Sequence, residues 1–442
     1  MPGPRDEYGN RLELRRAAHL RHSQVDARLS YFRLITFAIL AAVCILAWRG
    51  SLTWGWCLGP VIAFAWVAGQ HDRVIRARNT AARAVQFYQR GIARLDDQWA
   101  GTGEQGDRFA DPSHPYATDL DLFGPGSLFE LLSIARTRAG EDTLAAWLKS
   151  PAAPGVIGER HAAVDDLLTR LDLREAVWLA GTEVRAGVHG EALVAWAESA
   201  PLLGLSWLRG SSVLLATMAV VTFALWVRED WLTPLLLVLM LEGLLFFAYR
   251  PRIHQVLHSA GGWSRDLDLL AHVVACLEKE SFSAPRLVRL REQLDAAGTT
   301  PAKAIRVLHR FTEMHDWQHN LIFAPIAMPL LWDVQIAFAM EAWRKRYGAH
   351  VRHWLDAVGE FEALSSLSAY GYEHPADRFP ELVDAPEAVF DGVAMGHPLI
   401  PQARMVRNDV SLQGPTRLLL ISGSNMSGKS TLLRTVGVNA VL

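Results

Sequence analysis

With 442 residues, the chain has room for two or three domains. Half of its residues are hydrophobic and 20% are charged, a balance rich for a soluble protein, and a net charge of −2 excludes a global polycation, so overall charge gives no argument for nucleic-acid binding. Cys44, Cys57 and Cys276 form no C-x-x-C pair and no metal-ligand spacing, which reads as inert thiols in a reducing compartment.

Residues 1–30 form a mostly polar, basic segment carrying Arg5, Arg11, Arg15, Arg16, Arg21 and Arg28. No small-residue cleavage site follows the first apolar run, so a cleavable signal is not expected. Residues 31–70 read as a transmembrane hairpin. Leu34 to Trp48 and Leu52 to Ala68 are each close to the roughly 17–25 residues a membrane helix needs, and Trp48, Trp54 and Trp56 cluster at the turn between them. A buried helical hairpin in a soluble core is the alternative. Arg73, Arg76, Arg78, Arg83, Arg90 and Arg94 follow the hairpin, against Arg49 alone in its turn, so both ends are expected on the cytoplasmic side. Residues 71–109 form a juxtamembrane helix and linker, with Val85, Tyr88, Ile92 and Leu95 on one helical face and a glycine-containing linker from about Gly101 to Pro112. Its basic face reads as solvated, with phospholipid or nucleic acid as the alternative contact.

Residues 110–205 read as a helical core in which Ser127 caps one helix and Pro151 stops another. Asp119 and Asp121 lack the glycine-rich loop of a calcium site and read as turn and cap carboxylates. A second transmembrane hairpin occupies residues 206–250, with Ser211 to Val227 and Trp231 to Tyr249 flanking the turn Arg228-Glu229-Asp230. Glu242 lies inside the second of these runs, where an isolated charge is costly and must face a neighbouring helix or hold a proton. Residues 251–375 are helical. Their apolar run Leu321 to Trp332 contains Pro325 and Pro329, continues past Asp333, and is expected as a buried helix rather than a fifth span. The histidine pairs His254/His258, His315/His319 and His350/His353 have spacings that can hold zinc but lack an H-E-x-x-H glutamate and an identifiable third ligand, so they read as surface or core histidines.

Residues 376–442 contain Gly423-Ser424-Asn425-Met426-Ser427-Gly428-Lys429-Ser430, which fits G-x-x-x-x-G-K-[ST] without a mismatch. The apolar Leu418 to Ile421 is expected as a buried parallel strand before it, and Thr431-Leu432-Leu433-Arg434 opens a helical pattern after it. Converging backbone N–H groups and a helix N-terminus suit a polyphosphate. Lys429 would reach the β- and γ-phosphates of ATP, and Ser430 would place its hydroxyl on Mg²⁺.

The continuation Met426-Ser427-Gly428-Lys429-Ser430-Thr431-Leu432-Leu433-Arg434, preceded by Gly396-His397-Pro398-Leu399 and Val406-Arg407-Asn408-Asp409-Val410, resembles the ATPase domain of the MutS family of DNA mismatch-repair ATPases, of the ATP-binding-cassette type. His114 to Gly124, Thr137-Arg138-Ala139-Gly140, Trp147-Leu148 and Ile157-Gly158-Glu159-Arg160 resemble that family's helical core, and Glu360 to Leu367 resembles its lever helix. The resemblance implies an adenine contact from Asn408, with Met405 standing where the family often has an aromatic residue. It also implies a homodimer with a composite ATP site and a DNA partner. No acidic second ATPase strand or signature loop lies between Lys429 and Leu442, so hydrolysis is expected only of a complete dimeric form, with this chain as a truncated one. The family's mismatch-recognition domain has no counterpart, and Phe87-Tyr88-Gln89 reads as packing. The expectation is a mostly α protein: a helical MutS-like core and lever, two transmembrane hairpins in the lipid bilayer of the cytoplasmic (inner) membrane, and the start of an α/β P-loop domain facing the cytoplasm. A transporter-like membrane ATPase and a nucleotide-gated scaffold without catalysis are the alternatives.

Overall fold

The computed structural model describes residues 3–180, 190–204, 206–258, 264–294, 300–320, 323–424 and 428–442. It is mostly helical and divides into two compact units, Met1–Leu131 with Tyr370–Ala440, and Leu132–Ala369.

The first unit opens with α1, Pro4–Trp48, a single 45-residue helix. Proline at its start and Asp6 and Glu7 in its first turn suit the donor-rich end of the helix. The polar segment is thus helical and runs without a break into the first apolar stretch. A turn through Gly50 and a 3₁₀ turn, Trp54–Cys57, lead into α2, Leu58–Leu95. The two helices are antiparallel: Phe37 meets Phe64 at 6.0 Å, the Asp26 carboxylate lies 2.8 Å from the His71 ring, and Tyr8 meets Tyr88 edge-on at 5.9 Å. Gly91 is required at the last of these levels, because a Cβ there would stand 2.5 Å from the Tyr8 ring. Phe87 and Tyr88 are buried, as packing residues.

The expected span Leu52 to Ala68 runs into the first half of α2, antiparallel to the apolar end of α1. Three helices, in α1 and in the second hairpin, are long and apolar enough to cross a membrane by length and composition, and α2 is not among them. Its helix starts only at Leu58, and polar Gln70, His71, Asp72 and Arg73 follow soon after.

The stretch after α2 is packed rather than open. Phe109 lies 5.6 Å from Phe123 and 5.4 Å from Phe129, and the Gly103 and Gly126 amides donate to Glu130 at 2.9 and 2.8 Å. Ser127 caps the short α3, Leu128–Leu132, accepting from the Glu130 amide at 3.3 Å.

The second unit comprises α4 (Arg138–Lys149), α5 (Pro154–Leu168), α6 (Leu171–Ala180), α7 (Gly190–Glu198), α8 (Ser206–Glu229), α9 (Leu232–His258), α10 (Ser264–Lys279), α11 (Pro285–Leu294), α12 (Pro301–Asp316), α13 (Ala324–Ala327), α14 (Trp332–Tyr347) and most of α15 (Val351–Glu373). Prolines open several of these helices, where a missing N–H costs nothing. Their apolar faces converge on one core that includes Ile253, Leu270, Leu308, Val334, Trp354 and Phe361. Each fully buried aliphatic side chain of this kind contributes about 1.5–3 kcal/mol. Within the core, Glu362 of α15 accepts from the Arg136 and Thr137 amides, both at 3.1 Å, while Thr137 caps α4 by accepting from the Gly140 amide at 3.1 Å.

The run Leu321 to Trp332 is not the buried helix expected from its apolarity. Leu321 and Ile322 lie outside the described residues. The rest is the single turn α13 followed by Leu331 at φ 46°, which leads into α14. Pro325 and Pro329 cannot donate to a continuous helical ladder, and Ile326 and Met328 stay 50% and 81% exposed.

The first unit closes with β1 (Phe390–Met395) and β2 (Asn408–Leu412), which form an antiparallel pair, and α16 (Lys429–Val441). The expected parallel strand Leu418 to Ile421 is not formed: among the described residues β1 and β2 make up the sheet, no strand lies alongside this run, and Leu418 and Leu420 are exposed. A parallel strand without ladder partners leaves its own N–H and C=O groups to solvent.

Candidate functional site

The glycine loop meets α16 at Gly428, which caps the helix in the left-handed region at φ 83°, a conformation strained for any residue with a Cβ. The first helical bond runs from the Leu432 amide to the Gly428 carbonyl at 2.9 Å. The amides of Lys429, Ser430 and Thr431 therefore have no acceptor within the helix and face the loop end, where the helix dipole adds positive potential. Lys429 folds back over the loop, its Nζ donating to the Gly423 carbonyl and, at 3.1 Å, to the Ser424 carbonyl. The Ser430 and Thr431 side chains are exposed beside it. Asn425, Met426 and Ser427 lie outside the described residues. This end of α16 concentrates donors and a cation and carries no acidic residue in its first turn, which is the chemistry of an anion cradle.

The other end of α16 is held by side chains. Asn439 donates from Nδ2 to the Gly396 carbonyl at 2.9 Å, Arg434 pairs with Asp121 at 2.7 Å, and Thr435 and Val438 are buried. His397, beside Gly396, is buried and accepts at Nδ1 from the Leu399 amide at 3.2 Å. Burial pushes its imidazole down; Asp121 opposes that and Arg434 adds to it, so His397 stays neutral near neutral pH.

Met405 and Asn408 come together at the same turn. The Met405 sulfur is so close to Gly396 that a Cβ there would lie 2.2 Å from it, and Asn408 pairs across the ladder with Met395 while its amide donates to the Val406 carbonyl at 3.1 Å. This turn and the loop end lie about 15 Å apart along α16 by helix geometry. Asp121 was legible as a turn carboxylate and is one, at φ 50°, but its partner Arg434 stands 313 positions away and no local spacing could reveal it. Asn439 was likewise invisible as part of this site, whereas His397 belongs to the Gly396-His397-Pro398-Leu399 run that the sequence singles out.

No group of three or more His, Cys, Asp or Glu residues is placed to hold a metal ion among the described residues. His315 meets Asp333 at 3.1 Å and His350 stacks on Trp354, while the side chains of His258 and His319 lie outside the described residues.

No family model matches the chain. Segments of it are similar to curated proteins. A stretch is 27% identical over 138 residues to the DNA mismatch repair protein MutS of Fervidobacterium nodosum, covering 30% of this chain and 16% of that protein. Another is 28% identical over 169 residues to the DNA mismatch repair protein MutS of Symbiobacterium thermophilum, covering 37% of this chain and 16% of that protein. The Endonuclease MutS2 of Thermus thermophilus is 52% identical over 46 residues, 10% of this chain and 6% of that protein. The chain therefore spans a small part of the length of the relatives it matches, and the similarity is to proteins related to DNA mismatch repair.

Proposed function

We propose that the chain is an ATP-binding protein of MutS type, anchored in the cytoplasmic membrane with its N-terminus and nucleotide loop on the cytoplasmic side. One observation carries the nucleotide reading: left-handed Gly428 caps α16 while Lys429 is drawn over the loop carbonyls, so a cation and the first-turn amides converge on one point. Residues Gly423 to Thr431 would cradle the phosphates, Lys429 countering the β and γ groups. An Mg²⁺ ion fits as a guest of the phosphates with the exposed Ser430 hydroxyl as its protein donor, since no acidic cluster among the described residues offers a cage of its own. Met405 and Asn408, gathered at the far end of α16, suit the base.

DNA is the partner supported by similarity to mismatch-repair proteins, and a homodimer with a composite ATP site is the form in which hydrolysis is expected. The test is titration of the purified chain with ATP and Mg²⁺, followed by turnover of the complete dimeric form measured with and without mismatched duplex DNA. Binding absent in the wild type sinks the nucleotide reading; binding with turnover indifferent to DNA sinks the DNA reading.

A second reading, a transporter-like membrane ATPase, is favoured by Glu242, which is 3% exposed inside α9 with its Oε1 lacking a hydrogen-bond partner among the described residues. Turnover stimulated by a small solute rather than by DNA selects it. Nucleotide binding without turnover under either condition selects a nucleotide-gated scaffold.

A further inference from the structure

In the sequence Cys44 and Cys57 stand thirteen positions apart with no motif joining them, and by type alone they read as inert thiols. The fold brings them into contact. Cys44 lies one turn before the end of α1, Cys57 closes the 3₁₀ turn that leads into α2, and the Cys44 thiol donates to the Cys57 sulfur at 3.7 Å. This is the separation of two touching, unbonded sulfurs. Both thiols are half-buried, and no metal cluster among the described residues claims either of them.

The backbone around the pair is held on both sides. At the end of α1 the Arg49 amide donates to the Ile45 carbonyl, that of left-handed Gly50 to Ala47 and that of Ser51 to Leu46, each at 3.0 Å. Across the turn, the Trp56 amide donates to the Thr53 carbonyl at 3.1 Å and delivers Cys57 to the start of α2. Two turns further along the hairpin, the contact of Phe37 with Phe64 keeps α1 and α2 side by side. With both backbones fixed in this way, closing the sulfurs to a bond of about 2.05 Å is a matter of small χ1 rotations rather than of moving a helix.

We propose that Cys44 and Cys57 are an oxidation site: a dithiol that closes to a disulfide and ties α1 to α2 at the turn of the first hairpin. The reactant it takes is an exchangeable disulfide. Cys57, in the turn itself, attacks one sulfur of that disulfide as a thiolate, and the other half leaves and takes up a proton. Cys44 then loses its proton, attacks the Cys57 sulfur of the mixed disulfide and releases the second half as a thiol. Two thiols of the chain become one S–S bond, and the external disulfide becomes two thiols. The orientation proposed above puts this turn, whose one charged residue is Arg49, on the non-cytoplasmic side, where disulfides persist. The oxidising side rests on that orientation; the pairing rests on the contact alone.

The experiment counts thiols in the full chain. Cells making it are quenched in acid, the protein is denatured, and free thiols are capped with a polyethylene-glycol maleimide that retards the band once per thiol. The expected result is one adduct, on Cys276 of α10, rising to three after dithiothreitol. Cys276→Ser should then show none and Cys44→Ser two, which assigns the bond to Cys44 and Cys57. Any adduct in unreduced Cys276→Ser, or a dimer on a non-reducing gel, overturns that pairing. Where all three thiols are free in cells, the purified chain in detergent is equilibrated with oxidised glutathione. Closure there overturns the oxidising side and keeps the pair; three free thiols there as well overturn the pair itself. Neither result bears on the phosphate loop, so the nucleotide reading stands or falls separately.

Discussion

The Thr137 hydroxyl donates to the Glu362 carboxylate at 2.5 Å, across 225 positions of chain. Burial pushes this carboxyl up to about 7, from an ordinary 4.5, and the Thr137 and Arg136 donors offset that only in part. The folded chain therefore keeps a proton on Glu362 over a range where the unfolded chain has lost it. The stabilisation this gives is complete below the ordinary carboxylate value and disappears as pH rises through about 7. Thermal unfolding in detergent should show a midpoint that falls from about pH 5 to about pH 8, and Glu362→Gln should flatten that slope. An identical slope in the variant would remove Glu362 as its source.

Among the described residues Lys429 donates only to the carbonyls of its own loop, so its removal should leave the fold intact. Lys429→Ala is expected to weaken ATP binding by about 10–100-fold, the loss of one charge-assisted contact worth about 1.5–3 kcal/mol, with no change in the unfolding midpoint. Ser430→Ala should instead reduce the gain in affinity that Mg²⁺ confers. Titration calorimetry with and without Mg²⁺ separates the two effects.

A buried ion pair ties the hairpin of the first unit to the end of α15. Arg94 and Glu373 meet at 2.5 Å, and Tyr8 donates to the same carboxylate at 3.0 Å. Burial pulls the Arg94 guanidinium down, and Glu373 with Tyr8 overrides it, so the group stays charged with its titration raised above the ordinary range. Glu373→Ala strands that charge and should cost about 3–5 kcal/mol, while the double replacement Arg94→Met with Glu373→Leu should recover much of the loss. Chemical denaturation of the three variants against wild type gives the comparison.

Topology is testable with single cysteines on a cysteine-free background. Ser51→Cys and Asp230→Cys, in the turns after α1 and α8, should react with an impermeant maleimide added to intact spheroplasts, and Asp119→Cys only after lysis. The reverse pattern inverts the proposed orientation.

What the sequence disclosed follows the range of the forces involved. The apolar stretches of α1, α8 and α9 were legible because length and the lack of charge are local properties. In Leu52 to Ala68 the composition looks continuous, but Gly55, Gly59 and Pro60 punctuate the run and its helix begins only at Leu58. The cap at Ser127 and the glycine at 428 were readable from a few neighbouring residues. Arg434 with Asp121, and Glu362 with Thr137, were not, since each pair is made by packing of distant segments. Leu418 to Ile421 failed for the same reason from the other side: its pattern is that of a strand, but a strand exists only when another one lies beside it.

That bare run has a consequence for handling the protein. Leu418 and Leu420 are 83% and 86% exposed, and among the described residues no strand lies alongside them, so the segment is a template on which a strand of another molecule can zip. Arg417, tethered to Glu387, stands at its entrance as a charged gatekeeper.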